Sequence, residues 1–308
     1  MVTETLTLKV LYAGPKAVGK STTAKRLEKG VFIQNLGTTI GSGLSSTIRK
    51  IYIKDNDYLT RKQYLKLSEE DREQYQEIEV KLNITDAGGQ DSFRSFQQRL
   101  GIGVDLAVCF YQVVSNEEAA TLDELVSGFE GSLDSIPEWL GIARKYTKPL
   151  ITLVGNKVDL ITEEIRVARK EGNEERVRTL TEYTEHVQSK AKAFAEEHGL
   201  QMPSDPILYS AKTGEGFYET IYFKDDDSIK PEQRFISERK YRRLSEEDRE
   251  GYEQMTFEND FLDNLDQLIV EVIKSDKKKA TTTQRPSAQK RFVPPKIKKS
   301  HFIDFDGM

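Results

Sequence analysis

The sequence predicts an α/β protein, a mostly parallel six-stranded sheet covered by helices on both faces. Three observations carry that expectation: six short apolar segments of strand character, amphipathic helical stretches between them, and a Gly-rich turn joining the first strand to the first helix. Thr5–Ala13 alternates apolar and polar residues and runs directly into Gly14. Ser21–Gly30 then has helical spacing. Thr47–Ile53 and Ile78–Thr85 again alternate with period two. Leu106–Val113 and Leu150–Gly155 are continuous apolar runs of the kind that fill buried parallel strands, and Pro206–Ser210 is the sixth strand. Helices are expected over Ala119–Phe129, Pro137–Tyr146, Thr181–His198 with Gly199 as C-cap, and Asn259–Lys274.

Three charged stretches interrupt this alternation: Lys54–Glu77, Ile161–Leu180 and Tyr222–Thr256. Each is poor in aliphatic residues and reads as a surface insertion. The first and third share a repeat, LSEEDREQY at Leu67–Tyr75 and LSEEDREGY at Leu244–Tyr252. In both copies a Ser precedes an Asp by three residues, a helix-start signal, so each insertion is expected to hold a short helix. The plain reading of the repeats is charged surface helices; the sharper one is that both copies serve one partner or touch each other.

Composition narrows the class. The 308 residues are 37% hydrophobic and 31% charged, a globular body with extra solvated segments. No apolar run is long enough to cross a membrane, and the N-terminus has no secretory leader pattern. The single cysteine, Cys109, sits in an apolar strand, fits a reducing cytoplasmic setting and reads as a core residue. His186, His198 and His301 lack metal-ligand spacing. The net charge of −5 argues against nucleic acid as a partner. That charge is uneven: residues 275–308 carry nine Lys/Arg against three Asp, leaving −11 on the rest. The Pro, Thr, Ser and Lys content from Lys277 onward reads as a disordered basic tail, with the globular domain spanning 1–276.

The run from Gly14 to Ser21 (GPKAVGKS) fits GxxxxGK[ST], after a strand and opening a helix. Glycines let backbone N–H groups approach phosphate oxygens, Lys20 neutralises the terminal phosphates, and the Ser21 hydroxyl can ligate Mg²⁺. Lys16, Ala17, Val18, Gly19 and Thr22 complete this phosphate cradle. Asp86-Ala-Gly-Gly89-Gln90 follows the third strand, where a carboxylate can hold the Mg²⁺ shell and Gly89 can sense a γ-phosphate. Asn156-Lys157-Val158-Asp159 follows the fifth, and a carboxylate at Asp159 accepts two hydrogens from a base presenting N1–H and N2–H₂, as guanine does and adenine does not. Ser210-Ala211-Lys212 follows the sixth, offering the Ala211 N–H to the guanine O6. An ATPase or nucleotide kinase sharing the phosphate loop fails on Asn156–Asp159.

These four segments, in this order, resemble the small GTPases of the Ras superfamily, and Pro137-Glu-Trp139 with the helix end after it looks like the Rab branch. The resemblance covers roughly Leu6 to Lys274, interrupted by the insertions, with extra residues expected near Ser127–Ser135. It implies a P-loop NTPase sheet with one antiparallel edge strand. It also implies a GTP/GDP switch that hydrolyses slowly and signals through protein effectors, with an exchange factor and an activating protein as partners. By the family's spacing Phe32 flanks the base, Thr39 completes the Mg²⁺ site with Ser21 and Asp86, and Gln90 orients the attacking water. Lys16 departs from the pattern, because the family keeps a small residue there. The end of the chain departs too: with Val2 and no cysteine after Cys109, no lipid anchor is expected. The basic tail then offers at most a weak peripheral contact with an anionic membrane, since one such signal does not anchor stably. A rival reading is a pseudo-GTPase scaffold that holds nucleotide without cycling.

Overall fold

In a computed structural model the described residues are 5–33, 42–88, 99–114, 122–200, 202, 205–230 and 233–282. Seven strands form the main sheet: β1 (Thr5–Ala13), β2 (Ser42–Lys54), β3 (Asp57–Leu59), β4 (Gln76–Ala87), β5 (Leu106–Gln112), β6 (Leu150–Asn156) and β7 (Ile207–Tyr209). Their order is β3-β2-β4-β1-β5-β6-β7, with β4, β1, β5, β6 and β7 parallel and β2 antiparallel to β4. The count differs from the expected six because the first insertion contributes β3, which pairs antiparallel with the far end of β2. Three paired residues left too short an alternation to read.

Side chains of β1 show why the sheet is covered twice. Leu8, Val10 and Tyr12 enter one core with Ala24 of α1 (Lys20–Lys29), while Leu11 and Ala13 enter the other. The first insertion adds α2 (Arg61–Leu65) and α3 (Glu69–Arg72). The second core lies under α4 (Leu122–Asp134), α5 (Ile136–Arg144) and, beyond α6 (Val158–Lys170), α7 (Glu174–Glu197). The stretch near 127–135 is thus the end of α4, where Phe129 and Leu133 are buried.

The second insertion corrects the sequence reading. Ile161–Leu180 is mostly helical, spanning α6 and the start of α7, and Ile161, Ala168 and Leu180 are buried. Ile161, Ile165 and Ala168 carry the helical spacing i, i+4, i+7, diluted by eight charged residues between Glu163 and Glu175.

The third insertion forms its own sheet, β10-β8-β9, from β8 (Thr220–Lys224), β9 (Phe235–Ser237) and β10 (Tyr252–Thr256), with α8 (Glu238–Tyr241) and α9 (Glu246–Arg249). The repeats place α3 and α9 where the capping signal predicts, behind Ser68 and Ser245. The likeness extends to packing. Tyr52 stacks on Tyr64 at 3.7 Å and Tyr222 on Tyr241 at 3.6 Å, while Tyr75 and Tyr252 meet those rings edge-on. Arg72 Nε donates to the Tyr64 carbonyl and Arg249 Nε to that of Tyr241. Lys62 of the first insertion reaches the base of the third, donating to the Glu258 carbonyl and pairing with Asp260 and Glu219.

The last helix, α10 (Phe261–Thr282), supplies Phe261, Leu265, Leu268 and Ile269 to the first core. It takes in residues 277–282, which composition assigned to the tail; Lys and Ala there continue a helix readily. The rest of the tail lies outside the described residues. No described helix is long and apolar enough to cross a membrane.

Candidate nucleotide site

The parallel strands bring their C-terminal ends together, and every segment singled out by sequence follows one of them. Gly14 leaves β1 with φ +138°, where an added Cβ would stand 2.4 Å from the Phe110 carbonyl oxygen. The loop then passes through Ala17 in the left-handed region and buried Val18 to Gly19. Lys20 folds back over the loop, its Nζ donating to the carbonyls of Gly14 at 2.9 Å and Pro15 at 2.7 Å. Burial lowers its pKa to about 8, with Asp86 opposing that shift. An anion at the loop would restore the charge that burial penalises. The Trp139 ring lies 5.9 Å from the same Nζ.

Asp86, near the end of β4, accepts a hydrogen bond from the Ser21 hydroxyl. A buried carboxylate against a hydroxyl is a hard oxygen pair at the mouth of a phosphate loop, and these donors fit Mg²⁺. Thr39, Gly89 and Gln90 lie outside the described residues. Phe32 is half-buried just beyond α1, Thr22 is half-buried within it, and Lys16 is exposed on the loop.

The segments expected to read the base follow β6 and β7. Asn156 ends β6, Lys157 turns the chain at φ +75° and its Nζ donates to Gln112 Oε1 at 3.3 Å, and Asp159 enters the first turn of α6. Burial raises the Asp159 pKa, while the Ser210 hydroxyl and Lys212 oppose it. Ser210 also organises its own loop, its Oγ accepting from the N–H groups of Lys212 and Thr213. Asn156 acts as a brace: Nδ2 donates to the Val18 carbonyl at 2.8 Å and Oδ1 accepts the Ala211 N–H at 2.9 Å. The Ala211 N–H, which the sequence reading assigns to the guanine O6, is held by Asn156 in this structure.

Sequence reasoning missed Arg26, Thr23 and Tyr209. Buried Arg26 on α1 donates from Nε to the Ala211 carbonyl and from Nη2 to that of Lys212, both at 2.6 Å. Thr23 Oγ1 and the Tyr209 hydroxyl lie 2.6 Å apart. The available signal was Arg26 standing three residues after Thr23, a cation on the helix face that the fold buries.

A glycine-bearing loop between β1 and α1, a buried carboxylate against the Ser21 hydroxyl and the Asn156–Asp159 turn meet at one end of the sheet, the arrangement of a P-loop protein. Comparison with known proteins agrees. A sequence model of the Ras family matches residues 9–220. The chain is 27% identical to GTP-binding protein YPT52 of Saccharomyces cerevisiae over 70% of this chain and 78% of that protein. It is 27% identical to human Ras-related protein Rab-30, and 25% identical to Ras-related protein Rab-19 of Xenopus laevis. The Rab-30 and Rab-19 matches each take in 49% of this chain and 57% and 54%, respectively, of those proteins, little more than half their lengths. The chain belongs to the Ras family, and membership supports a small GTP-binding switch with GTPase activity.

Proposed function

We propose that this chain is a slow GTP/GDP switch whose GTP-bound form is read by protein effectors, in a trafficking setting like that of its Rab-named relatives. The observation that carries the reading is the Asn156 brace, which fixes the phosphate loop and the guanine loop in one frame. Lys20 and the loop amides bind the phosphates, and Ser21, Thr39 and Asp86 hold Mg²⁺, which when bound offsets phosphate charge. Asp159 reads the base edge, Lys157 and Phe32 line its faces, and Ser210, Ala211 and Lys212 close the pocket. Gln90 orients the attacking water.

In sequence Thr39 precedes β2 and Gly89 follows β4, whose ends meet at the Ser42–Ala87 pair, so ordering those segments around a γ-phosphate acts on the two strands that lead into and out of the first insertion. The insertions then offer effector surfaces beyond the usual domain.

Single-turnover hydrolysis of bound GTP with Mg²⁺ tests this reading, comparing wild type with Gln90→Leu and Lys16→Gly. The expected wild-type rate is below ~0.01 s⁻¹ and falls at least tenfold in Gln90→Leu. The Lys16→Gly rate shows whether that cation restrains or assists the reaction. Tight GTP binding with no hydrolysis in any variant would replace the switch with a nucleotide-holding scaffold.

A further inference from the structure

Both base-recognition segments lead into the same group of charges. Asp159 opens α6, and one to three turns further the helix presents Glu163, Arg166 and Lys170. From Ser210–Lys212 the chain passes through buried Phe217 into β8, and the turn after β8 carries Asp225 and Asp227, with Arg234 just before β9. Arg234 is only 4% exposed, and its guanidinium donates to Glu163 Oε1 at 2.9 Å and Asp227 Oδ1 at 3.1 Å. Arg166 donates to Glu163 at 2.6 Å, to Asp225 at 2.9 Å and to Asp227 at 3.0 Å. Lys170 pairs with both aspartates at 2.9 Å. Six charges thus close a ring between the helix that starts at Asp159 and the hairpin that starts at the guanine loop.

Resting on the reading above, we propose that the third insertion is a clamp on the base site that sets how long guanine nucleotide stays bound. Arg234 and Glu163 are its positioning residues. Opening the clamp frees α6 from the hairpin and lets Asp159 move away from the N2 amino group of the base, so a protein that engages this insertion would speed exchange. The geometry distinguishes this from surface decoration. The central guanidinium is buried and multiply bonded, whereas isolated exposed pairs contribute little.

Release of ribose-labelled fluorescent GDP from the full chain, chased with unlabelled GDP, is the test, repeated with labelled inosine diphosphate, which lacks the N2 amino group. Arg234→Gln and Glu163→Gln are expected to speed GDP release about tenfold, and the inosine nucleotide by less. The Asp225→Asn/Asp227→Asn double variant, whose sites are exposed, gives the same direction if Arg234→Gln fails to fold. Wild-type release rates in all folded variants, or equal acceleration of both nucleotides, would overturn the clamp while leaving the switch intact. A wild-type chain that retains no labelled GDP would overturn both.

Discussion

Gly19 and Asn156 stand so close that a Cβ on the glycine would lie 2.0 Å from the asparagine Nδ2. The phosphate loop and the end of β6 meet here without room for a methyl group. Gly19 also has φ +90°, a conformation that side chains resist. Gly19→Ala must therefore strain the backbone and displace the amide that holds the Val18 carbonyl. We expect it to cost about 2 kcal/mol or more of stability and to weaken nucleotide binding at least tenfold. Urea denaturation and calorimetric titration with GDP check this; a variant that binds normally would show that the close approach is dispensable.

Glu215 gives the chain a pH dependence. Its carboxyl is buried beside the guanine loop, bonded by the hydroxyls of Thr162 and Thr213, and burial pushes its pKa up to about 7, with Asp159 and Glu163 adding to the shift. The folded chain therefore holds a proton that the unfolded chain releases. The stabilisation is fully present below about pH 4.5 and is lost as pH rises through about 7. A shift of that size corresponds to about 3 kcal/mol. Between pH 4.5 and 8, urea denaturation should show the wild type losing about this much more stability in total than Glu215→Gln, whose profile is flatter. Parallel curves would place the titration elsewhere.

Arg49 on β2 and Asp266 on α10 form two parallel hydrogen bonds of 2.7 Å, and the carboxylate is almost fully buried. Burial raises the Asp266 pKa and Arg49 opposes it; the paired geometry is that of an ionised carboxylate. Removing one partner leaves an uncompensated charge, so Asp266→Ala should cost about 3–5 kcal/mol. Replacing both, as Arg49→Met with Asp266→Leu, should recover most of that. A double variant no better than the single would mean that the pair itself, and not the orphaned charge, sets the loss.

Most of the fold was legible because chemistry and periodicity coincide in it. The parallel strands are alternating segments (β1, β4) or short apolar runs (β5, β6, β7), and all but β5 end in a segment whose residue types match phosphate, metal or base. What stayed hidden has physical causes. In α6 the apolar stripe is three residues wide among many charges, because its outer face bears Glu163, Arg166 and Lys170. In the third insertion, β8 pairs only with neighbours inside the insertion, so its pattern looked isolated. Arg26 was passed over because its partners are backbone carbonyls 185 and 186 residues away, and carbonyls carry no residue signature. Thr39 and Gln90, assigned through the family resemblance, and Gly89, assigned from its motif, lie outside the described residues.

Asp159 is the residue proposed to select guanine. Xanthine keeps N1–H but replaces the N2 amino group with a carbonyl, so an amide side chain suits it where a carboxylate suits guanine. Equilibrium binding of GDP, ADP and xanthosine diphosphate to wild type and Asp159→Asn tests this directly. Wild type should prefer GDP over both others by at least about a hundredfold, and Asp159→Asn should reverse that preference toward the xanthine nucleotide. Equal binding of GDP and ADP by the wild type, or undiminished GDP preference in the variant, would contradict it.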